Sequence, residues 1–159
     1  FIFAHQDWGP QPIRLIMTNL GSFGLSLATA ADAGVKTIAD LKGKRISWVQ
    51  GAPALNWNVS AYLAFAGLTW DDVEKIKVSG FAASFDAIIN GQSDAAFSST
   101  VSPSPKKLAA SPRGLYWPPM PHNDVEGWKR VLAAAPVYNK VKATIGSEID
   151  KATPPQLSN

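Results

Sequence analysis

The sequence has no cysteine, which excludes a disulfide framework, thiolate chemistry and Cys-ligated zinc. Histidine is nearly missing as well: His5 and His122 are the only two, one near the start and the other beside a Pro-rich bend, which offers little to an enzymatic reading. Charged residues make up 17% of the chain, below the ~25% usual for soluble domains. The 15 Lys and Arg, which leave a net charge of +3, are scattered in small groups such as Lys42, Lys44 and Arg45. A nucleic-acid face would cluster that charge and interleave aromatics with it, so no nucleic-acid partner is expected. No apolar run approaches the ~20 residues of a membrane helix. The start, Phe1-Ile2-Phe3-Ala4-His5, has no Met and none of the basic and long apolar regions of a secretion signal.

What is present is enough for one sizeable core. The 159 residues are 46% hydrophobic and include six Trp, seven Phe and three Tyr, which predicts a single domain with appendages. Turn signals at Gly9-Pro10, Pro12, Gly21, Gly24 and Gly34 separate two short apolar runs, Ile13 to Met17 and Leu25 to Ala28, read as strands or extended crossovers. Thr37 with Asp40 makes a capping box ahead of Gly43. A rhythm of strand, loop and helix then begins. Lys44 to Val49 is a strand, followed by a helix with Val59, Tyr62, Leu63 and Ala66 on one face and Gly67 as its stop. Thr69 caps a short helix whose first turn carries Asp71 and Asp72. Ile76 to Val78 is a strand, and the next helix shows Phe85, Ile88 and Ile89. After the strand Asp94 to Phe97, Pro103 and Pro105 open a helix, and Leu115 to Trp117 returns as a strand. Asn123 or Asp124 caps a last helix with a Val125, Trp128, Val131, Leu132 stripe. Val141 to Ile145 is the final strand, and the Pro154-Pro155 tail is expected to be ragged. Strands spaced by helices predict an α/β fold, a mostly parallel sheet with helices on both faces.

In such sheets ligands bind beyond the carboxyl ends of the strands. Three loops qualify: 50–56, 79–83 and 97–102. Their small residues Gly51, Ala52, Gly80, Ser98 and Ser99 let a ligand approach the backbone. Asn56, Ser98, Ser99 and Thr100 offer neutral hydrogen bonds, and Trp57 and Phe81 offer apolar walls. Helix N-termini behind these loops favour an anion. Each loop alone is better explained by ordinary capping; convergence on one sheet edge reverses that preference in favour of a ligand. Trp48, Tyr62, Phe65 and Phe85 are expected in the core, and Trp117 either in the core or on a cleft. No catalytic residue, metal site or cofactor is predicted: a set of Ser99, His122 and Asp124 lacks the Gly-x-Ser-x-Gly elbow, and no P-loop or Gly-x-Gly-x-x-Gly is present.

Thr37-Ile38-Ala39-Asp40-Leu41-Lys42-Gly43-Lys44-Arg45-Ile46 resembles the crossover segment of periplasmic binding proteins. Asn90 to Phe97 resembles their helix-to-strand step. With Leu63 to Val73, Ala109 to Gly114 and Trp117-Pro118-Pro119, the chain from about Ile13 to Gly146 is similar to the TAXI solute receptors of tripartite ATP-independent periplasmic (TRAP) transporters. The resemblance implies a periplasmic-binding-protein-like lobe, extracytoplasmic and not an enzyme, closing on a small carboxylated solute for integral-membrane TRAP permease subunits. Where that family commonly carries a Gly-Ser-Gly-Thr type loop, this chain has Gly51-Ala52-Pro53-Ala54, an altered cradle. The family's length implies that the first lobe lies outside this sequence. Residues 1–35 are then crossover or hinge segments, 36–135 the ligand-binding lobe and 136–159 a return strand and tail. An isolated lobe is expected to lack micromolar solute affinity and to risk forming a homodimer through its exposed cleft face. The alternative is an enzyme or sensory effector domain on the same fold.

Overall fold

The computed structural model describes residues 21–159 together with Pro12 and Arg14; the predicted Ile13 to Met17 strand lies outside the described residues. Seven strands form one sheet, β1 (Leu25–Ala30), β2 (Arg45–Val49), β3 (Glu74–Val78), β4 (Ala95–Ser99), β5 (Leu115–Tyr116), β6 (Lys140–Lys142) and β7 (Gln156–Ser158), in the order β3-β2-β4-β1-β7-β6, with β5 paired to β1. Among the described residues four α-helices cover it: α1 (Pro53–Phe65), α2 (Phe81–Ile89), α3 (Pro103–Ala109) and α4 (Val125–Ala134).

Alternation along β1 divides the core. Leu27 points into a cluster with Ile46, Tyr62, Leu63, Trp128 and Val131, which α1 and α4 close. Ala28 and Ala30 point the other way, against Phe85, Ile88, Leu108 and Leu157 beneath α2 and α3. One-residue alternation thus places helices on both faces.

The sheet is mixed, and the parallel share is smaller than the sequence rhythm suggests. β2 pairs in parallel with β3 and with β4, as strands joined by helices must. β1 runs antiparallel to β4, β5 and β7, and β6 antiparallel to β7. These strands are joined by loops or by long returns, which impose no parallel direction.

The tail corrects its expected raggedness. Gln156–Ser158 is β7; Leu157 is fully buried, and the Gln156 carbonyl accepts from Met120 N at 2.7 Å. The Ser158 hydroxyl meets the Tyr62 hydroxyl at 2.7 Å and donates to the Leu25 carbonyl at 3.0 Å. Three residues behind two prolines are too few for a periodic signal; their partners are distant in sequence. The predicted strand to Ile145 is shorter, Lys140–Lys142, with Ile145 forming only an isolated bridge to Phe23. The short helix after Thr69 is a single 3₁₀ turn with a Thr69 and Asp72 capping box. Trp117 is buried, its indole N–H donating to Ser147 O at 2.9 Å.

Candidate ligand-binding site

Because β3, β2 and β4 are parallel neighbours, their three following loops share one edge of the sheet. The first loop is built tightly. Gln50 N donates to Val78 O at 2.8 Å, tying it to the adjacent strand, and Gly51 takes φ +70°, a left-handed value that glycine adopts without a Cβ penalty. The Asn56 amide then clamps the end of β2: its Oδ1 accepts from Val49 N and its Nδ2 donates to Val49 O, both at 2.9 Å. Helix α1 starts at Pro53, so Asn56 and Trp57 belong to its first turns and not to the loop.

The three helix starts differ in what they offer. Pro53 contributes no N–H to α1, and Leu55 and Asn56 both donate to the Ala52 carbonyl. Pro103 and Pro105 remove two donors from the first turn of α3. Helix α2 keeps all of its donors. Its N-cap is Gly80, in extended conformation and with no side chain to cap the turn. The amides of Phe81, Ala82 and Ala83 have no acceptor among the described residues, whereas Ser84 N donates to Gly80 O at 3.1 Å. Unpaired amides at a positive helix end favour an anion.

The nine predicted residues are thereby partly gathered. Asn56 and Phe81 line one narrow crevice, with Val49 and Phe97 between them. Gly51, Asn56 and Trp57 line an adjoining groove of about 350 Å³. Ala52 and Gly80 are the N-caps of α1 and α2. Thr100 borders a separate hollow with Lys106 and Glu148, and its hydroxyl is already engaged, accepting from Gly24 N at 3.0 Å and donating to Ile145 O at 2.7 Å. The Ser98 hydroxyl is buried and donates to Ser99 O at 3.3 Å, and Ser99 Oγ accepts from Val101 N at 3.4 Å. These hydroxyls shape the third loop.

Sequence reasoning passed over Trp48, Ser60 and Trp70 as lining residues. Period two placed Trp48 on the same face as Ile46, hence in the core; near the end of β2, however, that face is only half covered, and Trp48 stays half-buried. Under the edge, Tyr62 stacks on Phe97 with ring centroids 5.8 Å apart. Burial pushes the Tyr62 phenol well above its usual range and Tyr138 up to about 12. Both stay protonated at neutral pH and serve as hydrogen-bonding groups. Asp124 caps α4, accepting from Gly127 N at 2.8 Å, and His122 packs its ring on Trp128 at 5.8 Å, so each of these residues has a structural partner.

A mixed sheet with helices on both faces, and loops gathered at the carboxyl edge of its parallel half, is the layout of a periplasmic-binding-protein-like lobe. The chain belongs to the NMT1/THI5-like family, whose model matches residues 3–111. No curated protein sequence matches it. Among solved structures it is similar to the alkanesulfonate-binding protein SsuA from Xanthomonas axonopodis pv. citri bound to MOPS, at 32% identity and TM-score 0.40 over 45% of this chain and 24% of that one. It is also similar to the periplasmic aliphatic sulphonate binding protein SsuA from Escherichia coli, at 19% identity and TM-score 0.49 over 73% of this chain and 36% of that one. A third similarity is to the L-cystine solute receptor of Neisseria gonorrhoeae, at 20% identity and TM-score 0.42 over 70% and 48%. The chain thus spans a quarter to a half of the length of these structures.

Proposed function

We propose that this chain is a lobe of an extracytoplasmic solute receptor that binds a small anionic, carboxylated solute and does no chemistry on it. The observation that carries the reading is the start of α2: three amides without acceptors behind an N-cap that has no side chain, on the edge where three loops converge. Gly51, Ala52, Trp57, Gly80 and Phe81 are the proposed surroundings of that solute; Asn56, through Val49, and Ser98, Ser99 and Thr100, through their hydroxyls, are proposed to shape the loops around it. Family membership supports the binding reading. The resemblance of Thr37 to Ile46 and of Leu63 to Val73 to TAXI receptors supports a TRAP-type permease as the membrane partner.

Titration of the ¹⁵N-labelled chain with C2 to C6 mono- and dicarboxylates tests the site. Saturable shifts are expected at the Phe81, Ala82 and Ala83 amides, and Gly80→Asp, which places a carboxylate of the protein's own on those amides, is expected to abolish them. Shifts that bypass α2, or that survive Gly80→Asp, would sink the proposal. For the transporter, uptake by the full receptor with reconstituted permease distinguishes the partner: dependence on an ion gradient supports the TRAP reading, and dependence on ATP overturns it.

A further inference from the structure

Beside the edge, along the flank of α1, three tryptophans converge. The groove runs from Gly51 and Pro53 to Ser60 and Trp70, with Trp48 and Trp57 as its walls. Residues 53 and 60 are seven positions apart on one helix, or about 10 Å, long enough for a ring with a short substituent. Its volume of about 350 Å³ falls at the small end of the ~300–1,000 Å³ range of small-molecule sites.

The walls are fixed in advance. Trp70 Nε1 donates to Ser60 Oγ at 2.8 Å, and Ser60 Oγ donates to Asn56 O at 3.1 Å, so the Trp70 ring is held by the helix it faces. Trp48 packs edge-on to Trp70 with centroids 4.7 Å apart. The indole N–H groups of Trp48 and Trp57 have no acceptor among the described residues. Lys75 Nζ lies 5.5 Å from the Trp48 ring centroid and 5.9 Å from that of Trp70, so a cation stands against two of the groove's walls. Its acidic partner among the described residues is Asp71 Oδ1 at 3.9 Å, on a side chain 97% exposed, a pairing too solvated to neutralise the ammonium. Flat apolar walls, two indole donors and a cation together select a planar group that carries negative charge.

We infer that this groove binds an arylalkanoic anion, its ring between Trp48 and Trp57 and its acid group toward Lys75. The inference goes beyond the reading above: it places a second anion site beside the edge, sharing Gly51 with the first loop and Asn56 with the start of α1, and it stands independently of the α2 amides.

The test follows the tryptophan indole ¹H–¹⁵N resonances of the 159-residue chain during titration with phenylacetate, phenylacetamide and acetate. Phenylacetate is expected to give saturable shifts at Trp48, Trp57 and Trp70, and acetate none at these three. Phenylacetamide should bind about fivefold more weakly, the size of a partly solvated charge contact. Trp57→Ala should weaken phenylacetate about tenfold. Lys75→Gln, at an exposed position that leaves the core untouched, should erase the preference for the acid over the amide. Shifts that do not saturate, shifts confined to Trp117 and Trp128, or an acid preference that survives Lys75→Gln would overturn the inference. The two proposals fail separately: indole shifts without α2 amide shifts remove the edge site and leave the groove, and amide shifts alone do the reverse.

Discussion

The two ends of the parallel half-sheet are built on opposite terms. At the amino end of β2 and β4 the polar groups are paired. Asp94 accepts from Arg45 N at 3.1 Å, from Arg45 Nε at 3.0 Å and from Arg45 Nη2 at 2.7 Å, while Arg45 Nη1 donates to Gly91 O at 2.6 Å. Arg113 joins from the far side, donating to Ile88 O and Ser93 O at 2.8 Å and bridging to Asp32. Ser93 Oγ and Ser47 Oγ, 3.0 Å apart, extend the network inward. At the carboxyl end, 3₁₀ turns and capping boxes are absent among the described residues; two of the three helix starts are proline-blunted and the third has bare amides. The amino end commits its charged side chains to holding the sheet together, whereas the carboxyl end leaves the first amides of α2 without acceptors among the described residues, and that contrast supports the site proposed there.

Breaking the paired end should have the largest effect. Asp94→Ala leaves Arg45 and the largely buried Arg113 without their shared carboxylate, and loss of one member of a buried pair costs ~3–5 kcal/mol. Arg45 is partly exposed, so about 3 kcal/mol is expected in urea unfolding. If the two ends are independent, the α2 amide shifts with carboxylates persist in the folded variant. A loss below ~1 kcal/mol would show that the clasp is a surface ornament.

The same carboxylate gives a pH test. Burial alone would raise the Asp94 pKa; the Arg45 side-chain and backbone hydrogen bonds, with Arg113, outweigh it and hold the group below the usual carboxylate range. A group whose folded pKa is depressed contributes stability that is present above the unfolded value, ~3.9, and lost as pH falls through the folded one. Wild-type stability should therefore decline below about pH 4, and more steeply than that of Asp94→Ala. The exposed caps Asp40 and Asp72, also lowered by hydrogen bonds from Thr37 and Thr69 backbone amides, contribute to both proteins alike. Parallel acid slopes in the two proteins would contradict the assignment.

A smaller effect separates scaffold from ligand contact at the carboxyl end. Asn56→Ala leaves Val49 N without an acceptor and the Val49 carbonyl with only the 3.4 Å bond from Ala52 N, which should cost about 2 kcal/mol in stability. Asn56 stood among the predicted ligand-binding residues because of its polarity and its place behind Gly51. Its amide is instead committed to Val49, so the variant should lose solute affinity only through the loop it positions.

Local signals carried much of this fold. The Thr37 and Asp40 capping box and the strand and helix alternation from Arg45 to Ser99 are short-range features that the structure keeps, whereas α1 begins at Pro53, inside the stretch 50–56 that the sequence reads as a loop. The convergence of loops 50–56, 79–83 and 97–102 follows from the same alternation, because helical crossovers force parallel strands. What escaped reading depends on long-range pairing. β7 is defined by contacts to β6 and β1, and the Arg45, Asp94 and Arg113 clasp joins residues 49 and 19 positions apart. Trp48 fits a core pattern by period and is left half-covered only because β2 is one strand from the sheet's edge. Nor does the sequence rank the three helix starts until each amide is counted against its acceptor.

That ranking yields the smallest effect and the clearest sign. Gly80 has φ −165°, which any residue adopts, and a Cβ there would meet no atom within 4 Å, so Asp is accommodated without strain. An Asp N-cap accepts from the α2 amides and sits at the positive helix end, which should stabilise the fold by about 0.5 kcal/mol. For a chain of this size that is roughly 1–2 °C in Tm. Stability and anion binding should then move in opposite directions in one variant. A Gly80→Asp protein that is both less stable and weaker in binding would mean that α2 is not open at its start, and the contrast between the two ends of the sheet would fall with it.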